Sequence, residues 1–312
     1  MRYFIVLGLI SLIRVLPYRL SIIIGRMLGA LAWLIDPFHR RIADLQMRYA
    51  LKDSYRKIYT IKVFMNHGDI AVDTIKFAYM STKEMKKRIF IEGRENIEAA
   101  LALKRGVMFI TGHIGNWEIL THISRLMDME FCVMADIRGD PKLESIIDNI
   151  RSRSGATILP PKGKALMLIK ELKKGKAIGM VVDQRGRRGD KMLCEMFGMP
   201  APTNPAPAFL ALKGDAIIVP VYAIKHHDSY RICFGDIVDA RDFGKGKEAV
   251  QRLSDYMQSW VESVVKMYPD QWFWLHSRWT RRSEMRRILG SGQDFKSYVH
   301  SQAERIKQGL YH

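Results

Sequence analysis

Only three cysteines occur in the 312 residues, Cys132, Cys194 and Cys233, and none stands in C-x-x-C spacing. That set excludes a disulfide framework and a structural zinc site, and it fits a reducing compartment. Long apolar runs are lacking as well: none reaches the roughly 18–20 uninterrupted residues of a confident spanning helix. With a mean hydropathy of -0.10, the chain is not a polytopic membrane protein. No G-x-S-x-G elbow is present, so no acyl-enzyme nucleophile is evident. No repeat or low-complexity linker divides the chain. Carboxylates are the scarcer charge, 32 against 50 basic residues, which leaves +18 and an apolar fraction of 48%.

So basic a chain implies an anionic partner: nucleic acid, an anionic membrane or a phosphorylated substrate. The excess falls in blocks. Residues 1–62 hold eleven basic and three acidic residues, and residues 151–191 hold twelve and three. Arg278, Arg281, Arg282, Arg286 and Arg287 add a third block, while 92–148 is acidic. Segregation of this kind favours one directed face over a uniformly basic surface.

The N-terminus carries an apolar run from Tyr3 to Ile13, ended by Arg14, and a second from Leu20 to Ile35, broken by Ser21 and Arg26. The second has helical spacing, and Gly25, Gly29 and Ala32 form a small-residue strip that would let another helix approach closely. Arg14, Arg19, Arg26, Arg40 and Arg41 flank or interrupt the runs, as where cations snorkel to anionic headgroups. Two readings stand: a membrane-associated segment over 1–36, with the rest kept cytoplasmic by the basic residues, or a buried helical hairpin. Arginines inside the apolar region argue against a cleaved signal peptide.

Residues 40–91 read as helical. Beyond them short apolar strands alternate with helices. Strands are expected at Val107–Thr111, Phe131–Ala135, Ala156–Leu159, Ala177–Val182, Ile217–Ala223 and Tyr230–Phe234. Helices are expected at Trp117–Met127, Pro141–Arg153, Lys164–Lys173, Ala206–Lys213 and Glu248–Met267. The pattern predicts an α/β fold: a single layered domain over 37–282 with a mainly parallel sheet flanked by helices. Residues 283–312 read as an added basic helical tail.

The stretch with most chemistry in it runs from Val107 to Glu118, VMFITGHIGNWE. A buried strand ends, Gly112 permits a turn, and a helix starts near Asn116. In open α/β sheets ligands bind at the carboxyl ends of strands, so His113 would stand at that lip. Glu118 in the first helical turns could reach back to the imidazole. A carboxylate on one ring nitrogen fixes the tautomer and frees the other to take a proton. His113 would then be a general base, oriented by Glu118, acting on a substrate hydroxyl by direct transfer.

The same stretch resembles the H-x4-E motif of the bacterial lipid A biosynthesis acyltransferases, the lauroyl and myristoyl transferase type. The likeness continues in order. Arg138 before Pro141 is similar to the family's arginine ahead of a proline-containing turn. Arg151 to Gly155 resembles its R-x3-G element, and Asp183-Gln184 its D-Q or D-H element. Phe197 to Thr203 followed by Pro207-Ala208 resembles its F-G-x-P-A segment, and Pro269 to Trp279 its closing P-x-Q-W-x-W-x-H-x-R-W signature. Gln46 departs, standing where the family has asparagine.

The resemblance implies transfer of a fatty acyl chain from acyl carrier protein, or acyl-CoA, to a hydroxyl of a phosphorylated lipid A precursor. The place would be the cytoplasmic face of the bacterial inner membrane. Partners would be acyl carrier protein, the phosphorylated glycolipid acceptor and an anionic membrane surface. It also implies His113 and Glu118 as the catalytic pair, with Arg151 and Asp183 as further functional positions. Arg151 suits a phosphate or a developing oxyanion, Asp183 would share the lip with His113, and Arg138 is a further phosphate candidate. No cofactor and no metal are required by this chemistry.

Other features read more blandly. His226-His227-Asp228 suits a polar hairpin loop better than a metal site, and His122 does not give the H-E-x-x-H geometry. Trp260, Trp272, Trp274 and Trp279 fit either an interfacial belt or the core, Trp272 and Trp274 alternating as in a strand. Arg185-Gly186-Arg187-Arg188 is a basic loop beside Asp183. Rival functions are acylation of a mannosylated inositol lipid or a lysophospholipid and, outside enzymes, nucleic-acid binding. No nucleic-acid motif supports the last.

Overall fold

A computed structural model describes residues 2–134, 141–159, 163, 165–186 and 192–310. The chain opens on helices α1 (Arg2–Val15), α2 (Tyr18–Ile35), α3 (Pro37–Leu51), α4 (Ile58–Tyr79) and α5 (Thr82–Lys86). Strand β1 (Ile89–Glu92), α6 (Arg94–Ala102), β2 (Val107–Thr111), α7 (Ile123–Met127), β3 (Phe131–Met134) and α8 (Pro141–Ser152) follow. Next come β4 (Thr157–Leu159), α9 (Ala165–Lys173), β5 (Ala177–Val181), β6 (Leu193–Met196), β7 (Met199–Pro202) and α10 (Ala206–Lys213). Then β8 (Ile217–His226), β9 (Ser229–Phe234), β10 (Val238–Asp239), α11 (Gly246–Met267), α12 (Arg282–Ser291) and α13 (Phe295–Lys307) complete the chain.

The main sheet has the order β1-β9-β8-β2-β5-β3-β4, with β10 beside β8. Its pairs are parallel except β8–β9 and β8–β10. Helices cover both faces, so the sheet is the mainly parallel, flanked one that the alternation predicts. β2 is buried at every position, as a central parallel strand should be. Its side chains alternate between two cores: Met108 and Ile110 pack on one face, Val107 and Phe109 on the other, by the two-residue period of a strand.

Four strands lie outside the expected set: β1, β6, β7 and the two-residue β10. β1 is short and leaves Phe90 exposed, which blurs its alternation. β6 and β7 form a separate antiparallel hairpin whose second strand contains Pro200 and Pro202, residues that argue against a strand except at an edge. Trp117–Met127 is helical, but its first six residues, Trp117–His122, are a 3-10 turn. Trp272 and Trp274 lie in no strand; both are fully buried with Trp279, so these three belong to the core and not to an interfacial belt. Residues 283–312 contain α12 and α13, whose Met285, Ile288, Phe295 and Val299 bury in the same core as Met47 of α3 and Met199 of β7.

The small-residue strip of α2 meets α4. A Cβ on Gly25 would come 2.6 Å from the carbonyl oxygen of Gly68, and one on Gly29 would collide with the carbonyl of Phe64. The opposite side of α2 is bare: Ile23, Met27, Leu31, Leu34 and Ile35 are exposed. α2 is also the one helix, among the described residues, long and apolar enough to cross a membrane. Thus α2 is half of each reading, packed on one face and unpartnered on the other.

Polar contacts bolt this pair to the sheet. Asp69 of α4 accepts from Arg26 of α2 at 3.1 Å and lies 3.1 Å from Lys225 of β8. Asp73, one turn on, accepts from Tyr18 at 2.8 Å, Lys225 at 2.8 Å and Tyr230 of β9 at 2.5 Å. Both carboxylates are buried, and breaking such a pair by removing one partner costs about 3–5 kcal/mol.

Candidate active site

β2 and β5 run parallel with Thr111 opposite Val181. His113 and Asp183 each stand two residues past those partners, so the register delivers them side by side at the carboxyl lip. Asp183 is fully buried and accepts three hydrogen bonds. The imidazole Nδ1 of His113 lies 2.7 Å from Oδ1, while the backbone N–H of His113 and the indole N–H of Trp272 both donate to Oδ2 at 2.7 Å. Gly112 makes room: a Cβ there would sit 3.1 Å from Asp183 Oδ2. Gly115, at φ +55°, turns the chain where a Cβ would strike the carbonyl of Ala223.

The carboxylate partner of His113 is therefore Asp183, which corrects the expectation that Glu118 orients the ring. Glu118 sits on the 3-10 turn capped by Asn116, whose side chain accepts from the N–H of Ile119 at 3.3 Å. That turn aims Glu118 at α8, where Arg151 Nε donates to it at 2.9 Å and a second guanidinium N–H completes a fork. Arg151 keeps one buried nitrogen, Nη1, without a hydrogen-bond partner. The site thus holds two pairs, His113–Asp183 and Glu118–Arg151, and not one dyad. Arg138 lies outside the described residues, as do Arg187 and Arg188 of the basic loop.

Burial opposes a charge on His113, but the Asp183 carboxylate beside it, and Glu118 further off, outweigh that and raise its pKa above the ordinary 6.5. Burial likewise opposes the Asp183 charge, and His113, His276 and the Trp272 N–H overcome it, holding the acid well below the usual range. An ionised carboxylate only accepts, so Nδ1 carries the proton and Nε2 is the free nitrogen. Nε2 faces the side-chain amide of Gln184 at 3.4 Å, a long contact that a substrate hydroxyl can replace.

Two further histidines frame the ring. His276 and His67 are driven down to about 4 by burial, so both are neutral near pH 7. Each spends Nδ1 on a backbone carbonyl, of Phe273 and Val63 respectively, and buries Nε2 without a partner. Phe273 stacks between them, 5.5 Å from His276 and 4.7 Å from His67, while Trp117 meets His113 edge-on at 4.8 Å. His276 stands inside the tryptophan-rich segment singled out from the sequence. Nothing in the sequence marks His67, which reaches the site from α4.

The segment 269–279 holds the loop in place. Phe273 N–H donates to the carbonyl of His113 at 2.9 Å, and Gly115 N–H to that of Gln271 at 2.7 Å. Arg278 is fully buried and donates to Pro202, Thr203 and Gln258, and Gln258 donates to the carbonyl of Val182 beside Asp183. His226 and His227 end β8 and begin its turn, where Asp228 pairs with Arg19 at 3.1 Å. No group of three potential metal ligands is present among the described residues.

The family model described as bacterial lipid A biosynthesis acyltransferase matches residues 1–281. The lipid A biosynthesis palmitoleoyltransferase of Escherichia coli (strain K12) is 24% identical over 287 residues, covering 88% of this chain and 90% of its own. The lipid A biosynthesis lauroyltransferase of the same organism is 22% identical over 284 residues, covering 89% and 91%. Among solved structures, the 1-acyl-sn-glycerophosphate acyltransferase from Thermotoga maritima aligns with a TM-score of 0.39 at 16% identity, over 80% of this chain and 99% of that one.

Proposed function

The chain belongs to the bacterial lipid A biosynthesis acyltransferase family, and from that premise we propose that it moves a fatty acyl chain from acyl carrier protein to a hydroxyl of a phosphorylated lipid A precursor. The observation that carries the chemistry is the imidazole of His113 pinned at Nδ1 by Asp183, with Nε2 unprotonated and met by the long contact from Gln184. Nε2 takes the proton of the acceptor hydroxyl as its oxygen attacks the thioester carbonyl. Asp183 stabilises the imidazolium that forms. The tetrahedral adduct collapses with cleavage of the C–S bond, and the imidazolium returns its proton to the departing thiolate. An ester and a free thiol result, with no acyl-enzyme.

Glu118 and Arg151 flank this centre as a forked pair, which adds negative charge near the imidazolium while neutralising most of it locally. The bare apolar face of α2 and the basic residues 1–62 support work at the cytoplasmic face of an anionic inner membrane. Acyl transfer from acyl-carrier-protein thioesters to a phosphorylated lipid A precursor, measured for the wild type and for His113→Ala, tests the reading. A general base contributes about 10²–10⁴-fold, so His113→Ala should lose that much while still folding. Transfer that survives His113→Ala would sink the mechanism; a wild type inactive on this acceptor but active on a lysophospholipid would sink the substrate.

A further inference from the structure

A cleft of about 570 Å³ opens where α1 turns into α2, away from the His113 lip. Its walls carry Arg14, Lys76, Lys87 and Arg88 against one carboxylate, Glu84, and Glu84 is already spent on the cap of α5, accepting from the N–H and hydroxyl of Ser81. Among the described residues none of the four cations lies within ion-pair distance of a carboxylate. Behind the Ser81 hydrogen bonds, Lys87 and Arg88 help hold Glu84 ionised, but four cations against one carboxylate leave an excess of positive charge that an anion relieves.

The walls are built, not loose. Arg14 stacks on Tyr79 at 3.8 Å and Arg88 on Tyr18 at 3.9 Å, with Arg153 also over Tyr79 at 4.4 Å. Stacking uses the guanidinium faces; Arg88 spends one N–H on the carbonyl of Asp228 at 3.4 Å, and its remaining N–H groups are left for a ligand. Lys76 donates to the carbonyl of Leu16 at the end of α1, and Tyr18 is anchored from behind by Asp73 at 2.8 Å. Lys76 is nine residues past His67 on α4, about 14 Å along a helix axis, so the cleft is a separate place from the reaction centre.

Its surroundings say which anion. Leu12 and Val15 of α1 and Leu20 and Ile23 of α2 are exposed on either side of Arg14 and Tyr18, Val15 at 80%. A cationic cleft between two helices that also carry bare apolar side chains fits an amphiphile: a phosphate in the cleft and hydrocarbon along the helices. We infer that the Arg14–Lys76–Lys87–Arg88 cleft binds the headgroup phosphate of an anionic membrane lipid, seating the α1–α2 turn at the interface. This holds whichever acceptor the His113 centre acylates.

Vesicle co-sedimentation of the full chain, with phosphatidylcholine alone and with added phosphatidylglycerol, tests it. Arg14 and Lys87 are exposed or lie at the rim, so Arg14→Gln/Lys87→Gln should fold. Its preference for phosphatidylglycerol should fall by about thirtyfold, from roughly fivefold per basic residue at a membrane surface. The charge-matched control Lys245→Gln/Lys247→Gln, exposed and remote in sequence from the cleft, should lose less than about threefold by the same reckoning for charges off the membrane. Arg14→Lys/Lys87→Arg should bind as wild type. Equal losses in both glutamine variants, or no loss in either, overturn the site. Inorganic phosphate that abolishes vesicle binding at matched ionic strength would make the ligand a free phosphate and overturn the lipid assignment.

Discussion

Asp183 holds His113 twice, accepting the ring N–H at Oδ1 and the backbone N–H of the same residue at Oδ2, each at 2.7 Å. One carboxylate therefore fixes both the position of the loop and the tautomer of its imidazole. The two residues are 70 apart in sequence, and they meet because β2 and β5 are neighbours in a parallel register.

That double hold gives a pH prediction with a sign. In the proposed role His113 takes a proton only when neutral, and its pKa is raised, so kcat/KM should rise with pH through an apparent pKa above 6.5. Asp183→Asn removes the negative charge and leaves burial to dominate, so the rising limb should move to lower pH. The amide also permits the wrong tautomer, and kcat should fall by about 10²–10⁴-fold. A pH–rate profile of both forms decides it; a limb that stays put in Asp183→Asn would mean that Asp183 does not set the charge of His113.

Glu118 and Arg151 should behave as one unit. Their side chains are 14% and 16% exposed, so removing one partner should cost about 3 kcal/mol, the low end for a buried pair. Glu118→Gln and Arg151→Met should each lower the denaturation midpoint, and the double variant should recover a coupling of about 0.5–3 kcal/mol. Activity separates roles that stability does not. A double variant that is stable and still inactive assigns the pair to the reaction; one that is stable and active makes it a brace between the 3-10 turn and α8.

Much of this was readable from the residues. The alternation of apolar runs with helical spacing placed the strands of the sheet core, and the turn after Val107–Thr111 placed His113 at its lip with Asp183 on the same edge. Which carboxylate touches the ring was not readable. Spacing brings Glu118 within five positions of His113, but direction depends on the 3-10 turn and on the β2–β5 register, neither of which has a local signature. Proximity in sequence misled where proximity in the sheet decided. Trp272 and Trp274 misled in the opposite sense, since alternation there reflects packing around an irregular segment and not a strand. The tail sequence has five Lys and Arg against three carboxylates over 283–312, yet α12 and α13 turn their apolar faces inward, a pattern hidden by the charge.

Gln46 gives the sharpest test of how the site is assembled, because the residue is remote from the chemistry and departs from the expected asparagine. It is fully buried on α3, and its Nε2 donates to the carbonyls of Trp274 at 2.9 Å and His276 at 2.8 Å. Its Oε1 accepts the N–H of Arg278 at 2.9 Å. One amide therefore satisfies three backbone groups of the segment that presents Trp272 to Asp183. Gln46→Ala orphans them, and at about 1–3 kcal/mol for each unsatisfied buried group, relaxation included, the loss should be about 3–5 kcal/mol. Gln46→Asn is one methylene shorter and cannot reach all three unless α3 shifts, so an intermediate loss is expected. Urea denaturation with an unchanged slope measures both. If the segment is held chiefly by its own tryptophans, Gln46→Ala will cost under about 1 kcal/mol and leave kcat alone. If Gln46 is the bolt, kcat should fall with stability, because Trp272 loosens its hold on the carboxylate that holds His113.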